Sequence, residues 1–174
     1  KLRKKILNHL PFSLTKSQEI ALEEITEDMA AKRRMLRLLH GDVGSGKTVV
    51  AFLAILNAVE FGGQATLMAP TEILARQHLA TIQPLAESAG VNCQALTGRT
   101  KGKERNDLLA NLKAGRISIL VGTHAMFQRD VSFANLALTV IDEQHKFGVH
   151  QRLNLQAKGH GVDLLVMTAT PIPR

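Results

Sequence analysis

Residues 41–48 read Gly41-Asp42-Val43-Gly44-Ser45-Gly46-Lys47-Thr48. This octapeptide meets the pattern G-x-x-x-x-G-K-[ST] and restricts the fold more than any other stretch of the chain. Its chemistry requires that it leave a strand and open a helix. Residues 35–40 form a short apolar run before it, and Val49, Leu53 and Leu56 recur after it at i, i+4, i+7, the spacing of one helical face. Glycines at 41, 44 and 46 let the backbone adopt positive φ and wrap its N–H groups around phosphate oxygens, while the helix presents its positive end to them. The loop is therefore read as a polyphosphate cradle. Lys47 would reach the β and γ phosphates, and the Thr48 hydroxyl would ligate Mg²⁺.

Around this loop, short β-rich runs alternate with longer amphipathic ones. Strands are expected at 35–40, 65–69, 92–96, 117–121, 138–142 and 163–167, and helices at about 47–61, 73–89, 103–114 and 148–157. Gly62-Gly63, Gly90 and Gly115 stand where helices should stop. Alternation of this kind specifies βαβ units on a mostly parallel sheet, and strands apolar along their whole length imply helices on both faces, a three-layer α/β domain. A second acidic motif belongs with the loop. The apolar run Leu138-Thr139-Val140-Ile141 ends in Asp142-Glu143, and carboxylates at the C-terminal edge of a parallel sheet face its ligand. Asp142 would hold the Mg²⁺ shell, and Glu143 would orient and deprotonate the attacking water.

Asp142-Glu143-Gln144-His145 resembles the Asp-Glu-x-His box of superfamily 2 helicases, and further segments follow that family's order. Phe12 to Gln18 resembles the adenine-recognition segment, and Ala69-Pro70-Thr71-Glu72 resembles motif Ia. Leu96-Thr97-Gly98 and Gly122-Thr123-His124 resemble the next two strand-contacting motifs, and Thr168-Ala169-Thr170 resembles motif III. Within the superfamily, Phe147 to Arg152 and Thr168 to Arg174 resemble the RecG type, which remodels branched DNA; transcription-repair coupling translocases share much of the pattern, with glutamate where this chain has Gln144.

The resemblance implies a RecA-like ATP-binding lobe over residues 12–174, in a protein acting in DNA repair and recombination. Phe12 and Gln18 would bind adenine, and Lys47, Asp142, Glu143, Gln144 and His145 would be catalytic. Pro70, Thr71, Arg76, Gly98, Arg99, Gly122, Thr123, His124 and Arg152 would contact DNA. Thr168 and Thr170 would couple nucleotide state to lobe closure by bonding Gln144 or His145. It further implies a second RecA-like lobe after residue 174, carrying arginines that complete the ATP site, and a branched-DNA wedge before residue 1. Residues 1–11 would then be a linker, and the lobe alone would bind ATP but hydrolyse it weakly, since an arginine finger in related chemistry contributes about 10³–10⁵ in rate.

Local structure offers plainer roles for several of these residues. Thr15-x-x-Gln18 is a capping box, Phe12 could staple the same helix start, and Thr71 and Thr123 could be N-caps. A nucleotide-dependent switch without motor activity also stays open, and it would not need Glu143. For gripping DNA, basic residues gather at Arg99, Lys101, Lys103 and Arg105 and at Lys146 and Arg152, within a formal charge of +7. Six phenylalanines with no Trp or Tyr make a poor base-stacking platform, so contact should fall on phosphates, independent of sequence and weakened by salt. The seven histidines, His78 among them, lack paired metal-ligand spacing, which leaves Mg²⁺ with the nucleotide as the expected ion. The lone Cys93 reads as a small buried hydrophobe in a reducing, cytoplasmic compartment, and no apolar run approaches the roughly 20 residues that span a bilayer.

Overall fold

A computed structural model describes residues 6–7, 10, 13–30, 36–40, 46–143 and 162–168, with the main chain alone at 36–38, 40, 143 and 168. Among the described residues the main elements follow in the order α1 (Lys16–Ala30), β1 (Leu36–His40), α2 (Lys47–Glu60), β2 (Gln64–Met68), α3 (Glu72–Ser88), β3 (Cys93–Leu96), α4 (Gly102–Lys113), β4 (Ile119–Gly122), a 3₁₀ turn (His124–Phe127), β5 (Leu136–Glu143) and β6 (Asp163–Thr168). All six expected strands are present within a residue or two of their expected ends. The glycines read as helix stops do stop helices: Gly62, Gly90 and Gly115 have φ of 87°, 74° and 80°. The helix expected at 148–157 lies outside the described residues.

The strands form one sheet in the order β1-β6-β5-β2-β4-β3, with every pairing parallel. The expectation of a mostly parallel sheet thus becomes a wholly parallel one among the described residues. Each connection is a crossover, and the helices in those crossovers cover the apolar strands that the sequence shows. α2 is buried all round from Val50 to Leu56, because the crossover sets it between the sheet and α1. Its side chains join Leu67, Ile119, Val121, Leu138, Val140 and Leu165 in the larger core, while Leu96, Leu112, Leu120, Met126 and Ile141 belong to a second cluster. Ile6, in the stretch read as a linker, is fully buried in the larger core and Leu10 packs against it, so these residues share the packing of the lobe.

Buried polar groups are matched. Gln64 donates from Nε2 to the carbonyls of Leu112 and Ile117 at 3.0 and 2.8 Å and accepts from the Asn135 N–H at 2.9 Å, which ties three connections together at the edge where β2 and β5 begin. Cys93 is buried, as expected of a lone thiol used as a hydrophobe. Burial, with the Glu87 carboxylate nearby, pushes its pKa up to about 12.

Candidate functional site at the carboxyl edge of the sheet

Strand register brings the two sequence motifs together. His40 pairs with Thr168, and Thr168 pairs with Glu143, so the ends of β1, β6 and β5 stand at one level across three adjacent strands. The phosphate loop leaves directly after His40. The other half of the same edge is built alike: Ile141 pairs with Met68, Met68 with Gly122, and Gly122 with Leu96. Thus the segments after β2, β4 and β3, which hold Pro70-Thr71, Gly122-Thr123-His124 and Thr97-Gly98-Arg99, emerge side by side. One half of the edge carries the segments expected to hold nucleotide, and the other carries those expected to contact DNA. The seam between them is the β5–β2 pairing, where Thr66 and Thr139 share a buried hydroxyl hydrogen bond of 3.2 Å.

At the start of α2, Gly46 takes φ 82° and no side chain caps the helix. The first turn contains no acidic residue, so no carboxylate within that turn opposes the positive end of the helix. These residues fit a phosphate chain with its Mg²⁺, and Asp142 at the end of β5 fits the metal's water shell. Gln18 lies against this point. A Cβ on Gly46 would collide with its Nε2, while its Oε1 accepts the Thr15 N–H at 2.8 Å and its own N–H donates to Thr15 Oγ1 at 3.2 Å. The capping box therefore forms, and it holds the Gln18 amide beside the loop, so the structural role and the expected adenine role are compatible. Gly41–Ser45, Phe12, Gln144, His145, Arg152 and Thr170 lie outside the described residues.

Asp142 is 8% exposed, and its Oδ2 accepts a 2.7 Å hydrogen bond from His78 Nε2, two turns into α3. A carboxylate only accepts, so the imidazole must carry its proton on Nε2. Reading histidines for metal spacing passes over His78, because its partner is 64 positions away in sequence. The one local signal is that it falls on the buried face marked by Ala75, Ile82 and Ala86.

In the half expected to contact DNA, Thr71, Arg76, Gly98, Arg99 and His124 are exposed, whereas Gly122 and Thr123 are buried. Thr71 caps α3 by accepting from the Leu74 N–H at 3.2 Å, and Thr123 caps the 3₁₀ turn by accepting from the Ala125 N–H at 3.5 Å. Gly122 has a packing reason: a Cβ there would run into the Leu96 carbonyl. Arg99 is paired with Glu72 at 3.0 Å, and its N–H is taken by Thr97 Oγ1 at 3.2 Å, so its charge is shared within the protein. Arg105, grouped by sequence with the DNA-gripping cations, instead forks onto Asp130 at 2.6 and 3.0 Å and onto Gln128 at 3.2 Å. That side-chain hydrogen bond raises its pKa further, and the residue braces α4 against the segment before β5. Lys101 and Lys103 stay exposed.

The whole of this edge falls within the match of residues 15–174 to the family model described as DEAD/DEAH box helicase. The chain belongs to the DEAD/DEAH box helicase family. Within this helicase family its similarity is to the RecG type. It is 53% identical over 170 residues to the ATP-dependent DNA helicase RecG of Bacillus subtilis, covering 98% of this chain and 25% of that protein. It is 49% identical to that of Thermotoga maritima, covering 100% of this chain and 22% of that protein. The structure of RecG bound to a three-way DNA junction superimposes with a TM-score of 0.84 at 46% identity, over 99% of this chain and 23% of that one. The helicase MrfA shares the fold alone, at 17% identity and a TM-score of 0.73, over 98% of this chain and 29% of that one. This helicase lobe thus spans about a quarter of the length of the RecG proteins it matches.

Proposed function

We propose that the chain is the ATP-binding lobe of a motor that remodels branched DNA, such as stalled forks and recombination intermediates. The observation that carries this reading is the divided carboxyl edge, with phosphate loop and acidic box on β1, β6 and β5 and the strand-contacting segments on β2, β4 and β3. Family membership and likeness to RecG support it, as does the three-way junction in the superimposed structure.

In this reading Gly41–Gly46 and the start of α2 cradle the phosphates, Lys47 holds the β and γ oxygens, and Gln18 with Phe12 selects adenine. Thr48 and Asp142 would hold Mg²⁺, which supplies neutralisation of phosphate charge when bound. Glu143 takes the proton of the attacking water, beside Gln144 and His145, and Thr168 and Thr170 link that box to lobe closure. Pro70, Thr71, Arg76, Gly98, His124 and Arg152 would meet the sugar-phosphate backbone, with Arg99 available once released from Glu72. Thr123 and Gly122 act by shaping the loop. A second RecA-like lobe and a wedge domain of the same polypeptide would complete the motor, and cytoplasmic DNA would be its substrate.

The test is turnover of Mg·ATP with and without forked DNA, in a protein of the relatives' full length that contains this lobe. Fork-stimulated turnover should vanish in Glu143→Gln with nucleotide binding retained, and Lys47→Ala should lose binding itself. Turnover indifferent to DNA would refute the motor reading.

A further inference from the structure

The His78–Asp142 hydrogen bond crosses from one half of the edge to the other. Asp142 belongs to β5, among the nucleotide motifs, while His78 belongs to α3, whose N-cap is the exposed Thr71. The bland account is that a buried carboxylate needs a donor, and any nearby donor serves. Three observations go further. His78 sits two turns into the helix that Thr71 caps, so the two belong to one continuous element. That helix is seated by Ala75, Ile82 and Ala86, all at most 1% exposed, and its start is tied by Glu72 to Arg99 in the neighbouring loop. The bond is short at 2.7 Å, with the two side chains 12% and 11% exposed, so a movement of α3 by about 1 Å would weaken it steeply.

We infer that His78 is a positioning residue: it holds the Asp142 carboxylate and makes α3 the physical connection between backbone contact at Thr71 and the metal-holding end of β5. This rests on the proposed motor reading, in which Asp142 holds the Mg²⁺ shell. By occupying Oδ2, His78 fixes the rotation of the carboxyl group and leaves the other oxygen's lone pairs to the metal's water. Partners in this outer position typically change metal affinity or activity about 10- to 100-fold when removed. Through the same bond, a strand that shifts the start of α3 reorients Asp142, and nucleotide affinity becomes sensitive to DNA without contact between the two ligands.

The experiment uses a protein of the relatives' full length that contains this lobe, as His78→Ala, His78→Gln and Lys47→Ala. Binding of a fluorescent ATP analogue is titrated with Mg²⁺, with and without forked DNA, alongside thermal unfolding. His78→Ala should raise the Mg²⁺ needed for half-maximal binding about 10- to 100-fold and abolish the effect of DNA on that midpoint, with metal-free nucleotide binding unchanged. Glutamine presents an amide N–H near the position of Nε2, so His78→Gln should recover most of the wild-type midpoint. An unchanged Mg²⁺ midpoint in His78→Ala would overturn the inference. So would equal impairment of both His78 variants in step with lowered unfolding temperature, the mark of a merely structural bond. If the unsubstituted protein bound the analogue no better than Lys47→Ala, the motor reading itself would fall, and the inference with it.

Discussion

Gly46→Ala isolates the junction of the phosphate loop, the capping box and α2. The added Cβ has two separable consequences. An L-residue held at the φ of 82° seen here costs about 1–2 kcal/mol relative to glycine. The Cβ also meets Gln18 Nε2, the end of a flexible side chain, which can swing away only by giving up the bond from Thr15 to its Oε1. Loss of a capping interaction costs about 0.5–2 kcal/mol, so the two together come to roughly 1.5–4 kcal/mol. In a chain of 174 residues each kcal/mol lowers the unfolding temperature by about 2–4 °C, which puts the expected drop on the order of 10 °C. Thermal unfolding of the single and double variants by circular dichroism is the assay. Gln18→Ala removes both the collision and the cap, so Gly46→Ala with Gln18→Ala should unfold where Gly46→Ala alone does. Strictly additive losses would mean that the two residues are uncoupled, and the account of this junction would be wrong.

Gly122→Ala should destabilise by about 1–3 kcal/mol in urea unfolding, since the obstructing atom is the Leu96 backbone carbonyl and cannot rotate away. Glu72→Gln breaks an ion pair whose arginine is 72% exposed, so stability should change by less than about 1 kcal/mol, while fork affinity measured by anisotropy rises and its salt dependence steepens as Arg99 is freed. Cys93 should resist alkylation in the native state at pH 8 and react once urea unfolds the chain. Its folded pKa of about 12 lies above the ordinary 9.0, so the unfolded chain sheds the proton first, and the Cys93 contribution to stability should fall as pH rises from 9 toward 12 and be flat below.

Much of this lobe is legible in the sequence because its signals are local. Apolar runs such as Leu138–Ile141 mark strands buried on both faces, and Gly41 to Thr48 carries its chemistry in its spacing. Thr15-x-x-Gln18 forms the capping box its pattern specifies. What escapes is set by contacts between distant segments. Arg105 looks like one more cation in a basic cluster until Asp130, 25 positions on, is folded against it. His78 has no motif around it, and only the placing of α3 beside β5 gives it a carboxylate. Ile6 sits in a basic stretch that reads as a connector, yet its side chain is buried in the larger core. Gly122 reads as a DNA contact, and the sequence does not show its packing role, that a Cβ there would run into the Leu96 carbonyl of the neighbouring strand.

The burial of α2 bears on how such a lobe would do mechanical work if it is the motor part proposed above. From Val50 to Leu56 every residue is enclosed, and the helix starts at the phosphate loop and runs beneath β2 and β5. Interiors packed like this compress little and pass displacement on. A push at the loop therefore has no soft layer in which to dissipate. On the proposed motor reading, such a lobe would answer as a solid piece, and a stroke would be delivered at its rim, where the loops proposed to hold the nucleotide and to meet the strand would move together against whatever stands opposite them.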